Sequence, residues 1–351
     1  MKKYKNIVLL VFCISSLFLL RSQSVYQFPN PDFEQWSKVT GKGSDVPAQW
    51  HTFSVMQCDL PWYAVIGCPV AKNNHSNRVQ GVSGYALQLY AKKMAGVLAN
   101  GAMTTGRTRV KDMDPGNREN YNYDPEGYRW TFHGRPDTIA FYARSSGGMT
   151  GYAYFKVFLH DGNTYYDRAN DDLSGTDYGR MIISFHPQST WHRFAKAVTY
   201  LNTRTPQLLL GSFSTNRRAG EGSVDDKLDL DKLRCVYSKK LSVLQIDNVS
   251  QDSLLAVCNA AEWLTHDGLT DDGSNSGSVT VNFPVAANLA VAGMFPVVSA
   301  QAESPNILSC TVTQATSAAP FATITVTHND HSVFCYTVRF VRESEACAMR
   351  E

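Results

Sequence analysis

Charge and cysteine are both scarce in this sequence. Aspartate, glutamate, lysine and arginine make up 18% of the 351 residues, below the roughly 25% usual for soluble chains. The formal net charge is +2, and no basic run or basic–aromatic comb occurs, which argues against nucleic acid as a partner. Of the 8 cysteines, Cys13 falls in the N-terminal apolar run. The remainder is odd in number and thin for the length, so this is not a disulfide scaffold. CxxC pairs and metal-type Cys/His spacing are absent, which excludes the usual zinc sites. Also missing are a GxSxG elbow, HExxH, a P-loop and a dinucleotide fingerprint. Helical periodicity is rare, and no internal repeat is evident.

What is present begins with an export signal. Lys2, Lys3 and Lys5 form a basic start, Ile7 to Leu20 an apolar run, and Ser22 and Ser24 the small residues before a cleavage point at Val25. The run is short for a membrane span and Arg21 ends it. Phe12 before Cys13 does not suit lipid attachment. The expectation is a soluble exported protein, periplasmic, cell-surface or extracellular, with no membrane span.

The rest reads as strands. Gly (24), Tyr (17), Phe (17) and Trp (6) are plentiful, and nearly every structured segment alternates with period two. Ile139, Phe141 and Ala143 oppose Tyr142 and Arg144. Ala153, Phe155, Val157 and Leu159 oppose Tyr152, Tyr154, Lys156, Phe158 and His160. The best helical candidate, 252–264, could equally be strand. Near 238–246 the composition shifts to small β-formers, so two domains are expected: 25–240, then 241–351 as an immunoglobulin-like sandwich. Cys58 and Cys68 flank a Pro/Trp/Gly-rich loop and are the favoured bridge, whereas strand parity disfavours 310–335.

Three groups could carry chemistry. Asp32 and Glu34 follow the first apolar segment, and Asp229 and Asp231 lie on the acidic stretch 225–231. If these ends meet, Glu34, Asp229 and Asp231 offer oxygen ligands for a structural calcium ion. Parity puts both aspartates on the face of Leu233, Cys235 and Tyr237, where unpaired carboxylates would be costly. The alternative is a bulge that turns them to solvent. The second group is the loop holding Tyr121, Tyr123, Asp124, Glu126, Tyr128, Arg129 and Trp130. Sugars present apolar C–H faces and hydroxyl edges, so flat rings beside carboxylate and guanidinium groups suit them. Tyr142, Arg144, Tyr152, Tyr154 and His160 would extend that platform, unless the face lies against the second domain. The third reading is catalytic: Asp124 with Glu126, or the 225–231 cluster, could form a glycosidase pair, whose separation a sequence does not give. No catalytic residue is assigned.

Several stretches in series carry a resemblance: Phe33-Glu34-Gln35-Trp36, Asn100 to Gly106, Trp130 to Pro136, Phe213 to Asn216, and the acidic stretch after Gly222-Ser223. Together they resemble the PCMD carbohydrate-metabolism domains of exported bacterial proteins, over roughly 26–240. The resemblance implies a lectin-like jelly roll with a glycan role, and it carries over no catalytic residues. It departs at Lys232, where a second aspartate beside Asp231 is common in that family. The expectation is therefore an all-β protein, a jelly-roll sandwich followed by an immunoglobulin-like sandwich, that binds polysaccharide or oligosaccharide without cleaving it. A glycoside hydrolase or lyase, and a structural or adhesive surface protein, are the alternatives. Other cell-surface glycan-utilisation proteins are expected partners.

Overall fold

A computed structural model describes residues 25–38, 45–61, 75–94, 96–147, 149, 151–168, 177–218, 220–264, 276–286 and 294–342. The expected export signal 1–24, Cys68 and most of the polar loop 267–277 lie outside the described residues. The fold is all-β, as expected.

The first part is a sandwich of two antiparallel sheets. One orders His192–Ala197, Thr138–Ser145, Lys227–Val236, Tyr85–Tyr90 and Ser76–Gln80. The other orders Trp130–Thr131, Leu208–Ser214, Ala153–His160, Asp177–Phe185 and Thr199–Tyr200, with Ala102–Thr104 added on Leu208–Ser214. Successive strands cross between the two sheets, so neither sheet forms without the other. The alternation read from the sequence builds the core: Ile139, Phe141 and Ala143 face Ala153, Phe155, Val157 and Leu159, all buried. At its centre Phe155 and Phe213 stack at 3.6 Å, and Phe141 meets Phe155 edge-on at 5.4 Å. Truncating a ring in such a cluster costs about 3–5 kcal/mol.

A third layer covers the outer face of the six-stranded sheet. It orders Tyr166–Arg168, Tyr121–Tyr123, Arg107–Val110 and Gln57–Cys58. Its inner side is polar: Asp167 accepts from Lys156 Nζ at 2.7 Å and from Ser212 Oγ at 3.4 Å. Beside it Phe158, Tyr165 and Leu210 form a small apolar cluster. Strand Ala153–His160 is thus buried on both faces, where alternation alone predicts one solvated face.

The chain ends of this sandwich do meet. Cys235 N donates to Gln27 Oε1 at 2.8 Å, Gln27 Nε2 returns a bond to Cys235 O at 2.8 Å, and Leu233 N donates to Pro31 O at 2.9 Å. The N-terminal segment docks as turns rather than as a strand. Strand Lys227–Val236 is bulged: Tyr142 pairs with Asp231 and Ala140 with Arg234, so two residues oppose Phe141 alone, and Lys232 adopts φ 52°. The bulge switches faces. Leu228 and Leu230 enter the core before it, and Leu233, Cys235 and Tyr237 after it. Asp229 and Asp231 therefore do not share a face with the later residues, contrary to simple parity. Nor are they solvated; both are fully buried.

Past Tyr237 a second core begins at Leu241. A three-stranded sheet (Leu241–Ile246, Val249–Ser250, Val298–Ala302) and a four-stranded sheet (Gly277–Val285, Val333–Arg342, Phe321–His328, Ile307–Thr313) share it. Gly277–Val285 runs parallel to Val333–Arg342. The ambiguous segment resolves as helix Asp252–Leu264, which buries Cys258 and Glu262. The two cores join through polar contacts of the Trp130–Pro136 stretch and its continuation. Asp137 accepts from Ser304 Oγ at 2.6 Å and Asn306 Nδ2 at 3.0 Å and lies 2.9 Å from His328 Nε2. Arg135 N donates to Asn329 Oδ1 at 3.0 Å. Cys310 and Cys335 are free thiols, while Cys58 is disulfide-bonded to a partner outside the described residues.

Candidate functional site

The loop from Asn120 to Thr131 begins as the central strand of the third layer and ends as the edge strand of the six-stranded sheet. Its two halves have separate surroundings. Tyr121 and Tyr123 sit on the outer side of the third layer but are 6% and 7% exposed. They meet each other edge-on at 5.6 Å, and Tyr123 stacks with Tyr166 at 5.9 Å. The guanidiniums of Arg109 and Arg168 lie 5.8 and 5.4 Å from the Tyr121 ring, and the Tyr123 hydroxyl donates to Gln57 Oε1. Neighbouring side chains thus cover both rings, which offer no free face to a sugar. The exposed ring of this cluster is Tyr166, at 48%; sequence alternation did not single it out.

Asp124 is fully buried. Its Oδ1 accepts from Tyr165 N at 2.7 Å, and Oδ2 lies 2.8 Å from His160 Nε2. It ties the loop to strand Ala153–His160 instead of facing a ligand, and it is not free to pair with Glu126 in acid catalysis.

The second half opens. Tyr128 N donates to Pro125 O at 2.9 Å, closing a tight turn, and Gly127 takes φ 84°, a conformation that favours glycine. The turn presents Tyr128, Arg129 and Trp130 to a cleft of about 450 Å³, lined also by Val25, Gln49, His51, Thr105, Gly127 and Thr131. That volume lies within the range of small-ligand sites, roughly 300–1,000 Å³. Trp130 packs against the core, and its indole N–H donates to Gln27 O at 3.0 Å. The docked N-terminal segment thereby sets one wall. Tyr128 is held between His51, edge-on at 4.9 Å, and the Arg107 guanidinium, 5.2 Å from the ring centre. Burial, and secondarily the Arg107 charge, lower His51 to about 4, so its imidazole is neutral at ordinary pH. Gln49 holds φ 66° without being glycine, a strain of about 1 kcal/mol or more of the kind concentrated at binding sites.

Sequence reasoning found Tyr128, Arg129 and Trp130 but not Gln49, His51 and Thr105. Thr105 lies in the stretch Asn100 to Gly106, noted for its resemblance and given no role. Gln49 and His51 flank Trp50, which is buried in the core among Phe28, Phe33 and Phe213.

Tyr142 and Arg144 do not join this cleft. They lie on the five-stranded sheet, whereas Tyr154 and His160 lie on the six-stranded one, so the expected single aromatic row is split between two outer faces. Tyr142 is buried. Arg144 is committed to Asp229 Oδ2 at 2.8 Å and to the Trp191 ring at 4.7 Å. Asp229 is further satisfied by Gln88 Nε2 at 3.0 Å and Ser146 Oγ at 2.9 Å.

Glu34 and Asp231 converge elsewhere, on the loop 81–85. Glu34 Oε1 accepts from Tyr85 N at 2.8 Å, and Asp231 Oδ2 accepts from Val82 N at 2.8 Å. Where a Cβ on Gly81 would sit, Asp231 Oδ2, Tyr85 O and Ser83 O lie 2.5, 2.9 and 3.0 Å away. These are hard oxygen donors of the type calcium takes. Among the described residues no group of three or more His, Cys, Asp or Glu side chains forms a metal cluster. Glu34 and Asp231 both bond the loop 81–85, whereas Asp229 is taken up by Arg144, Gln88 and Ser146. Asp32 instead pairs with Arg234 at 2.5 Å.

No protein-family model matches the chain, and no curated protein matches it. Among solved structures it is similar to the family 11 carbohydrate-binding module of Clostridium thermocellum in complex with a β-1,3-1,4-mixed-linked tetrasaccharide. That match is 11% identical, covers 46% of this chain and 81% of that one, and has a TM-score of 0.24. The CBM22-1 xylan-binding domain of Paenibacillus barcinonensis Xyn10C is 14% identical, with 60% and 91% covered and a TM-score of 0.26. A cyclase from Fischerella sp. is 12% identical, with 59% and 94% covered, also at 0.26. Many of the similar structures are thus carbohydrate-binding modules, but overlaps this loose leave function to be argued from the chain's own side chains.

Proposed function

We propose that this is an exported, non-catalytic glycan-binding protein whose cleft beside the 125–131 turn seats a saccharide ring. The carrying observation is the placement of Tyr128 and Trp130 on one cleft with Arg129, Gln49 and His51. The rings offer apolar faces for C–H surfaces, and the amide, imidazole and guanidinium meet hydroxyls. Both rings are held before any ligand arrives, which keeps the entropic cost of binding low. Among the described residues the lining groups are rings, an amide, an imidazole and a guanidinium, with no carboxylate, and such groups are suited to holding a sugar. The motif series that resembles the PCMD domains is in keeping with this reading. Isothermal titration across a polysaccharide panel, with reducing-sugar release measured in parallel, tests it. Saturable binding without release is expected; release lost in Glu126→Gln would turn the reading to hydrolysis, and no binding to any polymer would end it.

We propose also that Glu34 and Asp231 hold a structural calcium ion at the loop 81–85. Burial raises Asp231 to about 6. An acid raised in the folded state binds its proton more tightly there than unfolded, so without a cation stability falls as pH rises from about 4 through 6. A bound cation offsets that loss only where Asp231 is ionised. Calcium should raise the melting temperature at about pH 7.5 by several degrees, at roughly 2–4 °C per kcal/mol, and scarcely at about pH 4.5. Identical melting with calcium and with EDTA at the higher pH would sink the assignment.

A further inference from the structure

Several arginines of the first sandwich are held by acids: Arg109, Arg144 and Arg234 each meet a carboxylate, on Asp59, Asp229 and Asp32 respectively. Arg129, which lines the cleft, and Arg107, which lies over the Tyr128 ring, do not, among the described residues. Arg129 is exposed in the lining and is pinned by neutral acceptors only, with Nε to Asp124 O at 3.2 Å and Nη2 to Thr164 Oγ1 at 3.1 Å. These bonds fix the plane of the guanidinium and leave its Nη1 donors uncommitted. Arg107 gives Nε to Val55 O at 2.8 Å and lies over the Tyr128 ring.

Among the described residues no acid is ion-paired with either guanidinium. Asp124, five residues before Arg129, is buried against His160. Glu126 is exposed in the same turn but lies outside the lining. The Arg107 charge reaches the cleft, since it helps to keep His51 deprotonated. A concave site lined by one exposed guanidinium, with a second over its Tyr128 ring and no acid among the described lining residues, focuses positive potential. Guanidinium geometry matches carboxylate and sulfate oxygens, two donors to two acceptors, far better than it matches a neutral hydroxyl.

We infer that the cleft selects an acidic saccharide, with the anionic group of the sugar on Arg129 and the ring against Tyr128 and Trp130. This rests on the glycan-binding reading above and narrows it to a substrate class. A uronate carboxylate and a sulfate ester share the required chemistry.

The test compares matched polymers that differ only in charge. Titrations in EDTA-treated buffer would use oligogalacturonate against its methyl ester, and a sulfated galactan against its desulfated form. A charge-assisted contact of this type should favour the acidic member of a pair by about tenfold or more. Preference in the first pair identifies a uronate, and in the second a sulfate. Arg129→Gln should abolish the preference while leaving weak binding to the neutral member, and added salt should weaken only the acidic member. Equal binding of acidic and neutral members, or a preference that survives Arg129→Gln, overturns the selectivity and leaves saccharide binding standing. Binding to neither member of either pair, nor to any neutral glycan of the wider panel, overturns both.

Discussion

The 120–131 loop divides into two halves of similar composition and opposite fate. Tyr121, Tyr123 and Asp124 are buried, whereas Tyr128, Arg129 and Trp130 line a cleft. Both halves hold aromatic rings beside charged groups, so residue type does not separate them. The neighbours do. The first half is a strand paired on both sides, by Arg107–Val110 and by Tyr166–Arg168. Its rings are shared out among adjacent strands. The second half leaves the sheet through a glycine turn and returns at an edge, where one side stays unpaired. A binding loop therefore needs an anchored end as well as an open one.

Removing the anchor should have the largest effect. Asp124→Ala leaves His160 buried without its neighbouring carboxylate and Tyr165 N without its acceptor, a loss of about 1–3 kcal/mol for each buried group left unpaired. Urea unfolding measures it, and a change under about 1 kcal/mol would contradict the anchoring role. Tyr123→Ala should destabilise by about 2–4 kcal/mol, as for other buried rings, and folded protein should still bind glycan. If this variant instead kept its stability and lost binding, the two halves would have to exchange roles. Tyr128→Ala is the mirror case: unfolding should change by less than about 1 kcal/mol while glycan binding weakens about tenfold. The smallest effect expected is that of pH. Because His51 is lowered to about 4, it stays neutral in the folded protein above that value, while the unfolded chain protonates near its ordinary value. Its contribution to stability is whole above about pH 6.5 and fades as pH falls toward 4. Glycan binding should be flat from about pH 8 to 5, and a step near 6.5 would show a charged, solvated His51.

The two aspartates of the acidic stretch repeat the lesson. Asp229 and Asp231 are two apart on one strand and equally buried, yet Arg144 claims the first and backbone amides of the loop 81–85 and of Lys232 hold the second. The spacing of the acids was legible in the sequence, where the meeting of the chain ends stood only as a condition. The bulge at Lys232 was legible only as an alternative, and its outcome was not: it turns both aspartates off the later face yet leaves them buried, which distant segments decide.

By itself the sequence determined the strand faces of the core. Ile139, Phe141, Ala143, Phe155, Val157 and Leu159 are inside because alternation at period two is a local property of an extended backbone. It also determined the glycan-suited chemistry of the 120–131 loop, since that is a matter of residue types. Tertiary structure alone decided which of those residues meet solvent. The third layer that buries Phe158 and His160, the N-terminal segment that fixes Trp130 through Gln27, and the pairing that hides Tyr121 and Tyr123 all come from contacts between distant segments. Exposure is set by what packs on a face, and no repeat within a strand records that.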